Sequence, residues 1–209
     1  GCLAPVPSGM FEAAVDLAVG HLAALGHERI GLAAGPERFV PVIRKVAGFR
    51  AAMARHTSLP DKEIRSLIDH RLFTVEGGAS AGEELLGRGA TAVVAASDLM
   101  ALGVVRAVRS RGLRVPEDVS VVGYDDSVLV AFTDPPLTTI RQNVQAMSEA
   151  AVNALIAVIG GSPAQSHDYL FRPELIVRGS TAPCVMRSVA RSTAAPRRLR
   201  AADSRPPRG

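Results

Sequence analysis

Tryptophan is absent from this chain of 209 residues, and aromatic residues make up only 4% of it. A core built from such a sequence must rest on Ala, Val, Leu and Ile. Only two cysteines occur, Cys2 and Cys184, near opposite ends. They form no CxxC pair and no disulfide framework, which suits a reducing cytoplasm. The five histidines, His21, His27, His56, His70 and His167, show neither HExxH nor another short ligand spacing. A metal site is therefore not expected, and nothing in the pattern calls for a cofactor. No apolar run approaches the roughly 20 residues that a membrane span needs. The opening stretch GCLAPVPSGM has neither a basic region nor an apolar one behind it, so no secretory signal is expected. It also lacks an initiator methionine, and the sequence reads as a fragment of something longer.

What is present is an ordinary globular composition, with 47% apolar and 21% charged residues. The length suffices for one domain or for two small lobes with a core. The net charge of +4 is unevenly placed. Residues 187–209 hold seven arginines and one aspartate, a net +6, so the remaining residues carry −2. A mildly acidic body thus precedes a basic tail.

Apolar periodicity predicts the layout. Residues 9–25 space Phe11, Ala14, Val15, Ala18, Leu22 and Leu25 as on one helix face, with Gly26 as the stop. RIGLAAG (29–35) reads as a buried strand, followed by a helix from about Pro41 to Arg55. RLFTV (71–75) reads as a second strand and GASAGEELLGRG (78–89) as a short helix. TAVVAAS (91–97) is a third strand. Asp98 stands where an N-cap belongs, before a helix that Gly112 ends. VSVVGYD (119–125) is a fourth strand, residues 143–161 an amphipathic helix, and YLFRPELIVRGST (169–181) one or two final strands. Strands apolar on both faces, alternating with helices, predict an α/β fold whose parallel sheet is flanked by helices on both sides. The Arg/Pro-rich tail, residues 183–209, has little to bury and is expected to be disordered.

Ligands of such sheets gather beyond the carboxyl ends of the strands. Phe73, Ser97, Asp98, Asp125 and Asp126 fall there in this layout. One aromatic face with short hydroxyls and carboxylates, and no obvious base, suits a polyol or sugar.

Three motifs compete with that reading. Gly78-Ala79-Ser80-Ala81-Gly82 matches the GxSxG of esterases, and Asp125 and His167 follow in the hydrolase order. The elbow needs its serine directly at a strand end, however, and four residues separate Val75 from Ser80. A glycine-rich entry to a helix explains the motif as well, so no enzyme is expected. The adjacent Asp125 and Asp126 would point apart on extended backbone and cannot share one substrate atom as an acid–base pair does. The better division gives Asp125 to a ligand and Asp126 to the amides of the following turn. Both could instead serve the turn alone. The arginine tail could meet nucleic-acid phosphates, but it lacks interleaved aromatics and a groove-entering helix.

Several segments together resemble the lactose-repressor (LacI/GalR) family of bacterial transcription regulators. They are HLAALGHERIGLAAG (21–35), RKVAGFRAAM (44–53), AASDLMALGVVRAVRSRGLRVPEDVSVVGYDD (95–126), PPLTTIRQ (135–142) and PELIVRGST (173–181). The resemblance implies a sensor domain like a type I periplasmic sugar-binding protein, in which two α/β lobes close on an effector. Residues 1–182 would form the sensor, with lobe two nearly whole and lobe one largely missing. The family's effector contacts fall on Lys45, Phe73, Ser97, Asp125 and Gln142. Lys45 replaces the usual arginine and Ser97 the usual asparagine, so the effector is expected to differ in size or to bind weakly. Asp98 and Asp126 are left with structural or capping roles.

The resemblance further implies a cytoplasmic regulator whose small-molecule effector is a sugar or resembles a nucleoside. It would dimerise through lobe two, with 99–111 and 127–134 as interface candidates. Operator DNA would be reached only through an N-terminal helix-turn-helix that this sequence does not contain. The helix at 143–161, which would belong to lobe one, is expected to leave Val144, Met147, Ala151, Leu155 and Ile159 uncovered. A sugar-binding protein serving a transporter shares the fold, but PEDVSVVGYDD followed by PPLTTIRQ favours the regulator.

Overall fold

The computed structural model describes residues 9–161 and 171–184. Its elements run α1 (Met10–Ala24), β1 (Ile30–Ala34), α2 (Val40–His56), α3 (Asp61–Ser66), β2 (Ile68–His70), α4 (Val75–Gly87) and β3 (Ala92–Ala95). They continue as α5 (Asp98–Ser110), β4 (Ser120–Tyr124), a 3-10 turn (Val128–Phe132), β5 (Thr138–Arg141), α6 (Val144–Ile159) and β6 (Glu174–Ile176). One sheet holds them in the order β2-β1-β3-β4-β5-β6, parallel throughout except for β6, which is antiparallel to β5.

Alternation along the strands divides the core in two. Ile30, Leu32 and Ala34 of β1, with Ala92 and Val94 of β3, pack under α1 and α2. Ala33, Val93 and Ala95 pack under α4 and α5 on the opposite face. The expected sheet, covered on both sides, is what forms.

Several elements depart from the expected layout, among them α3, where no helix is predicted. The second strand is β2, which ends at His70, and residues 71–74 are a turn rather than a strand. This edge strand was hidden by its polar Asp69, which is 7% exposed. Arg71 and Arg88 neutralise it at 2.7 and 3.3 Å. The helix after it starts at Val75 because the Thr74 hydroxyl accepts the amide of Gly77 at 3.0 Å. TTIR, for which apolar periodicity predicts no element, is the buried strand β5, where Thr138 and Thr139 are fully covered.

The GxSxG segment lies inside α4, with Ser80 exposed in its second turn. Its glycines serve helix packing. A Cβ on Gly78 would stand 2.1 Å from the carbonyl oxygen of Met100, and one on Gly103 would stand 2.0 Å from that of Val75. Only glycine allows the α4 and α5 backbones to approach so closely. Ser80 therefore occupies no strand-to-helix elbow. His167 and the arginine tail lie outside the described residues.

α6 buries none of its residues: Val144, Leu155 and Ile159 are 57%, 60% and 77% exposed, while Met147 packs partly against the core. The apolar face expected to be uncovered is largely so.

At the amino ends of the strands, residues 180–184 form a strap tied down by side chains. Ser180 exchanges bonds with Val121, whose amide donates to its carbonyl at 2.8 Å and whose carbonyl accepts from its hydroxyl at 2.6 Å. His27, 4% exposed, lies 3.0 Å from the Ser120 hydroxyl and 3.1 Å from the Ala182 carbonyl through Nε2, and 2.9 Å from the Thr91 hydroxyl through Nδ1. Donation to the Ala182 carbonyl requires a proton on Nε2. Burial, the largest influence, holds His27 below its usual 6.5. An unfolded chain takes up this proton below about pH 6.5 while the folded one resists it, so stability is independent of His27 above that pH and falls below it. Thermal unfolding followed by circular dichroism should show a falling midpoint between pH 6.5 and 5, with a shallower decline in H27Q.

Candidate functional site

The carboxyl ends of β1, β3, β4 and β5 form a rim, and the residues expected to bind an effector stand along it. Lys45 reaches the rim from α2. Its ammonium donates to the Ala96 carbonyl at 2.9 Å and lies 3.3 Å above the centroid of the Tyr124 ring, in the geometry of a cation–π contact. The side chain is 7% exposed, and burial brings its pKa down to about 8 although the Asp125 carboxylate pulls the other way.

Asp125 follows β4 with φ of 110°, and Asp126 with φ of 54°. Such conformations are costly for residues with a Cβ and persist where surrounding contacts enforce them. The expectation that the two acids point apart on extended backbone is met by another route: consecutive positive-φ residues send them to separate partners. Asp125 keeps an exposed side, accepts from Gln142 Nε2 at 3.1 Å and interacts with Lys45. Its pKa is raised, first by burial of its surroundings and then by Asp98, against the lowering pull of Lys45 and Gln142.

Asp126 does not hold the amides of the following turn. It accepts from Arg141 Nε and Arg178 Nη2, both at 2.7 Å. Burial alone would raise its pKa, but these two arginines hold it below the usual carboxylate value. The amide role falls to Asp98, whose Oδ2 accepts from the Ser127 N–H and whose Oδ1 accepts from the Thr139 hydroxyl, each at 2.7 Å. Asp98 is accordingly not the N-cap of α5. Ser97 is, its hydroxyl oxygen accepting the Met100 amide at 3.3 Å, which leaves the hydroxyl proton free to donate.

Phe73 stands over the end of β1, one strand away from the end of β3. Its ring lies on the backbone of Gly35, where a Cβ would come within 2.1 Å of Cζ. Only a residue without a side chain admits the ring there. Phe39 lies beside it, with ring centroids 6.3 Å apart and planes inclined by 42°. Gln142 thus touches Asp125, Lys45 acts on Asp125 through its charge, Ser97 is adjacent to the carbonyl that receives Lys45, and Phe73 stands apart from them over Gly35. Sequence reasoning missed Phe39 and Tyr124. An aromatic just before a helix, and a tyrosine inside VVGYD, carry no motif of their own. Among the described residues no cluster of His, Cys, Asp and Glu could hold a metal ion.

The chain matches the periplasmic binding protein-like domain over residues 19–181. It is 56% identical over 180 residues to the HTH-type transcriptional regulator MalR of Streptomyces coelicolor, covering 86% of this chain and 52% of that protein. The chain belongs to the LacI/GalR family of transcription regulators. The solved structure of the transcriptional regulator CelR in complex with cellobiose superposes with a TM-score of 0.75 at 35% identity, over 81% of this chain and 52% of that one. The lac repressor dimer bound to operator and an anti-inducer gives 0.74 at 33% identity, over 82% and 59%. The chain spans about half the length of the LacI/GalR regulators it matches. The sheet and its order fit the sensor fold of the family, periplasmic-binding-protein-like lobe two.

The geometry around Lys45 is open to direct measurement. The chain has two lysines, Lys45 and Lys62. In an NMR titration of the lysine ε-carbons, the Lys45 signal should move with a midpoint of about 8. In D125N that midpoint should fall further, because the carboxylate that favours the ammonium is gone.

Proposed function

We propose that the rim binds a small, hydroxyl-rich effector, a sugar or a nucleoside-like molecule, without transforming it. The observation that carries this reading is Asp125. A carboxylate that accepts from Gln142 and keeps one side exposed can accept from two ligand hydroxyls while the charge of Lys45 offsets its own. Phe73 supplies a flat face for the apolar side of a ring, and the Ser97 hydroxyl can donate. A rim that pairs its own charges favours a neutral ligand. The relative crystallised with cellobiose supports a sugar.

In the whole protein such binding would shift the equilibrium between two lobe arrangements and so change affinity for operator DNA, which requires different effector affinities in the two arrangements. The transporter reading shares the fold, but 56% identity to a helix-turn-helix regulator favours the regulator.

A homodimer is part of the same proposal. Leu99 on α5 and Val128, Leu129 and Phe132 on the 3-10 turn are 54%, 80%, 73% and 84% exposed, a concentration of apolar side chains that solvent does not favour. Beside them a concavity of about 360 Å³ lies between Leu102, Val105, Arg106 and Arg109 of α5 and the 133–137 loop. Sedimentation equilibrium should give a dimer that V128D/F132D converts to monomer; a wild-type monomer at high concentration would remove this part of the proposal.

Isothermal titration against a panel of sugars and nucleosides tests the effector site. For the ligand that binds, D125A should weaken affinity about ten- to hundredfold, the loss expected when a charged acceptor is deleted. An unchanged affinity would overturn the reading.

A further inference from the structure

Two polar atoms behind the rim, the hydroxyl oxygen of Tyr124 and Oε2 of Glu12, are shut off from solvent and make no direct hydrogen bond to any described residue. Tyr124 is 1% exposed and ends β4, one residue before Asp125. A hydroxyl and a carboxylate oxygen are costly to bury unpaired, and such groups are ordinarily joined, where necessary by one water. These two do act on each other. The Tyr124 pKa is raised, first by burial and then by the charges of Asp125 and Glu12. The phenol therefore keeps its proton and needs an acceptor, and Glu12 has an oxygen to spare.

Glu12 is also fixed in place. It stands in the first turn of α1, where a Cβ on Gly48 of α2 would come within 2.7 Å of its Cα. Lys45 lies three residues before Gly48, on the same face of α2. Its ammonium is 5.8 Å from the centroid of the Phe11 ring and 3.3 Å from that of Tyr124. The hydroxyl of Tyr124 thus answers to Glu12 and the face of its ring to Lys45, whose charge in turn acts on Asp125.

We propose that Glu12 is a positioning residue for Lys45: hydrogen-bonded to the Tyr124 hydroxyl, it holds the ring beneath the ammonium and enriches the face that the ammonium meets. Its use in effector binding rests on the reading of the rim given above. A phenol whose O–H is drawn toward a carboxylate carries more electron density, and a cation over its face is attracted more strongly. The cation that offsets Asp125 is then steadied by a residue that touches no ligand. As an ordinary first-turn acid, favoured by the helix dipole, Glu12 would instead affect α1 alone.

The test is an NMR titration of the Lys45 ε-carbon in the 209-residue chain, comparing wild type with E12Q, Y124F and the double variant, each checked for folding by circular dichroism. The wild-type midpoint should lie at about 8. E12Q and Y124F should each lower it by about half a pH unit, and the double variant no further than either alone. Asp125 acts on Lys45 directly, whereas the charge of Glu12 reaches Tyr124, so a shift in E12Q must pass through the ring. A crystal structure should show the Tyr124 hydroxyl joined to Glu12, directly or through one water. An unchanged midpoint in E12Q, even with lowered stability, would overturn the proposal. So would additive shifts, since Glu12 would then act without Tyr124, and so would a crystal structure with the two groups unlinked. None of these results touches the effector reading, which stands or falls on D125A. Midpoints that move as stated while no sugar or nucleoside binds would uphold the link to Lys45 and remove the effector reading instead.

Discussion

The buried carboxylate of Asp98 is the contact on which the rest of the rim depends. It sits at the first position of α5, 3% exposed, and receives one hydrogen bond from β5 and another from the turn after β4. Three elements distant in sequence are thereby joined at one point. A buried charge with both oxygens engaged costs far less than one left unpaired, and removing either donor would leave it uncompensated. Gly123 makes room for it, since a Cβ there would stand 2.4 Å from Oδ1. With Ser127 anchored in this way and the Asp125 amide bonded to the Ile140 carbonyl at 2.8 Å, the two intervening acids are confined to left-handed backbone.

That confinement explains how neighbouring acids acquire different work. Asp126 turns back into the protein, between Arg141 and Arg178, and ties the end of β4 to β5 and to the segment after β6. Asp125 faces the rim beside Lys45. The strain of two positive-φ residues is offset by the Asp98 and Asp126 contacts, and its product is one exposed carboxylate in a fixed direction. Lys45 is held just as firmly, with Ala96 as acceptor and the Tyr124 ring beneath it. A binding surface made of side chains whose partners are already in place loses little freedom when a ligand arrives.

Much of the fold was legible because β1, β3 and β4 are short apolar runs punctuated by glycine and by capping residues. The two strands that escaped did so for a common reason. β2 and β5 carry Asp69, Thr138 and Thr139, polar residues that are covered because partners elsewhere satisfy them: Arg71 and Arg88 for Asp69, the Arg178 amide and Thr181 hydroxyl for Thr138, and the Asp98 carboxylate for Thr139. Periodicity counts apolar residues and cannot see such partners. The residues of the candidate site were legible through resemblance to the LacI/GalR family, yet their division of labour was not. Asp98 read as a cap and Asp126 as an amide acceptor, when Ser97 caps and Asp98 takes the amide.

What the sequence by itself determined is the alternation of apolar strands with amphipathic helices, hence a parallel sheet with a polar rim at its carboxyl ends. This follows from local periodicity, which solvent enforces on any chain of this pattern. Which carboxylate turns inward, which lysine loses its water and which two phenylalanines lie side by side were decided only by tertiary structure. Those outcomes depend on contacts between residues tens of positions apart, as between Asp98 and Thr139 or Phe39 and Phe73, and no local pattern encodes a distance in space.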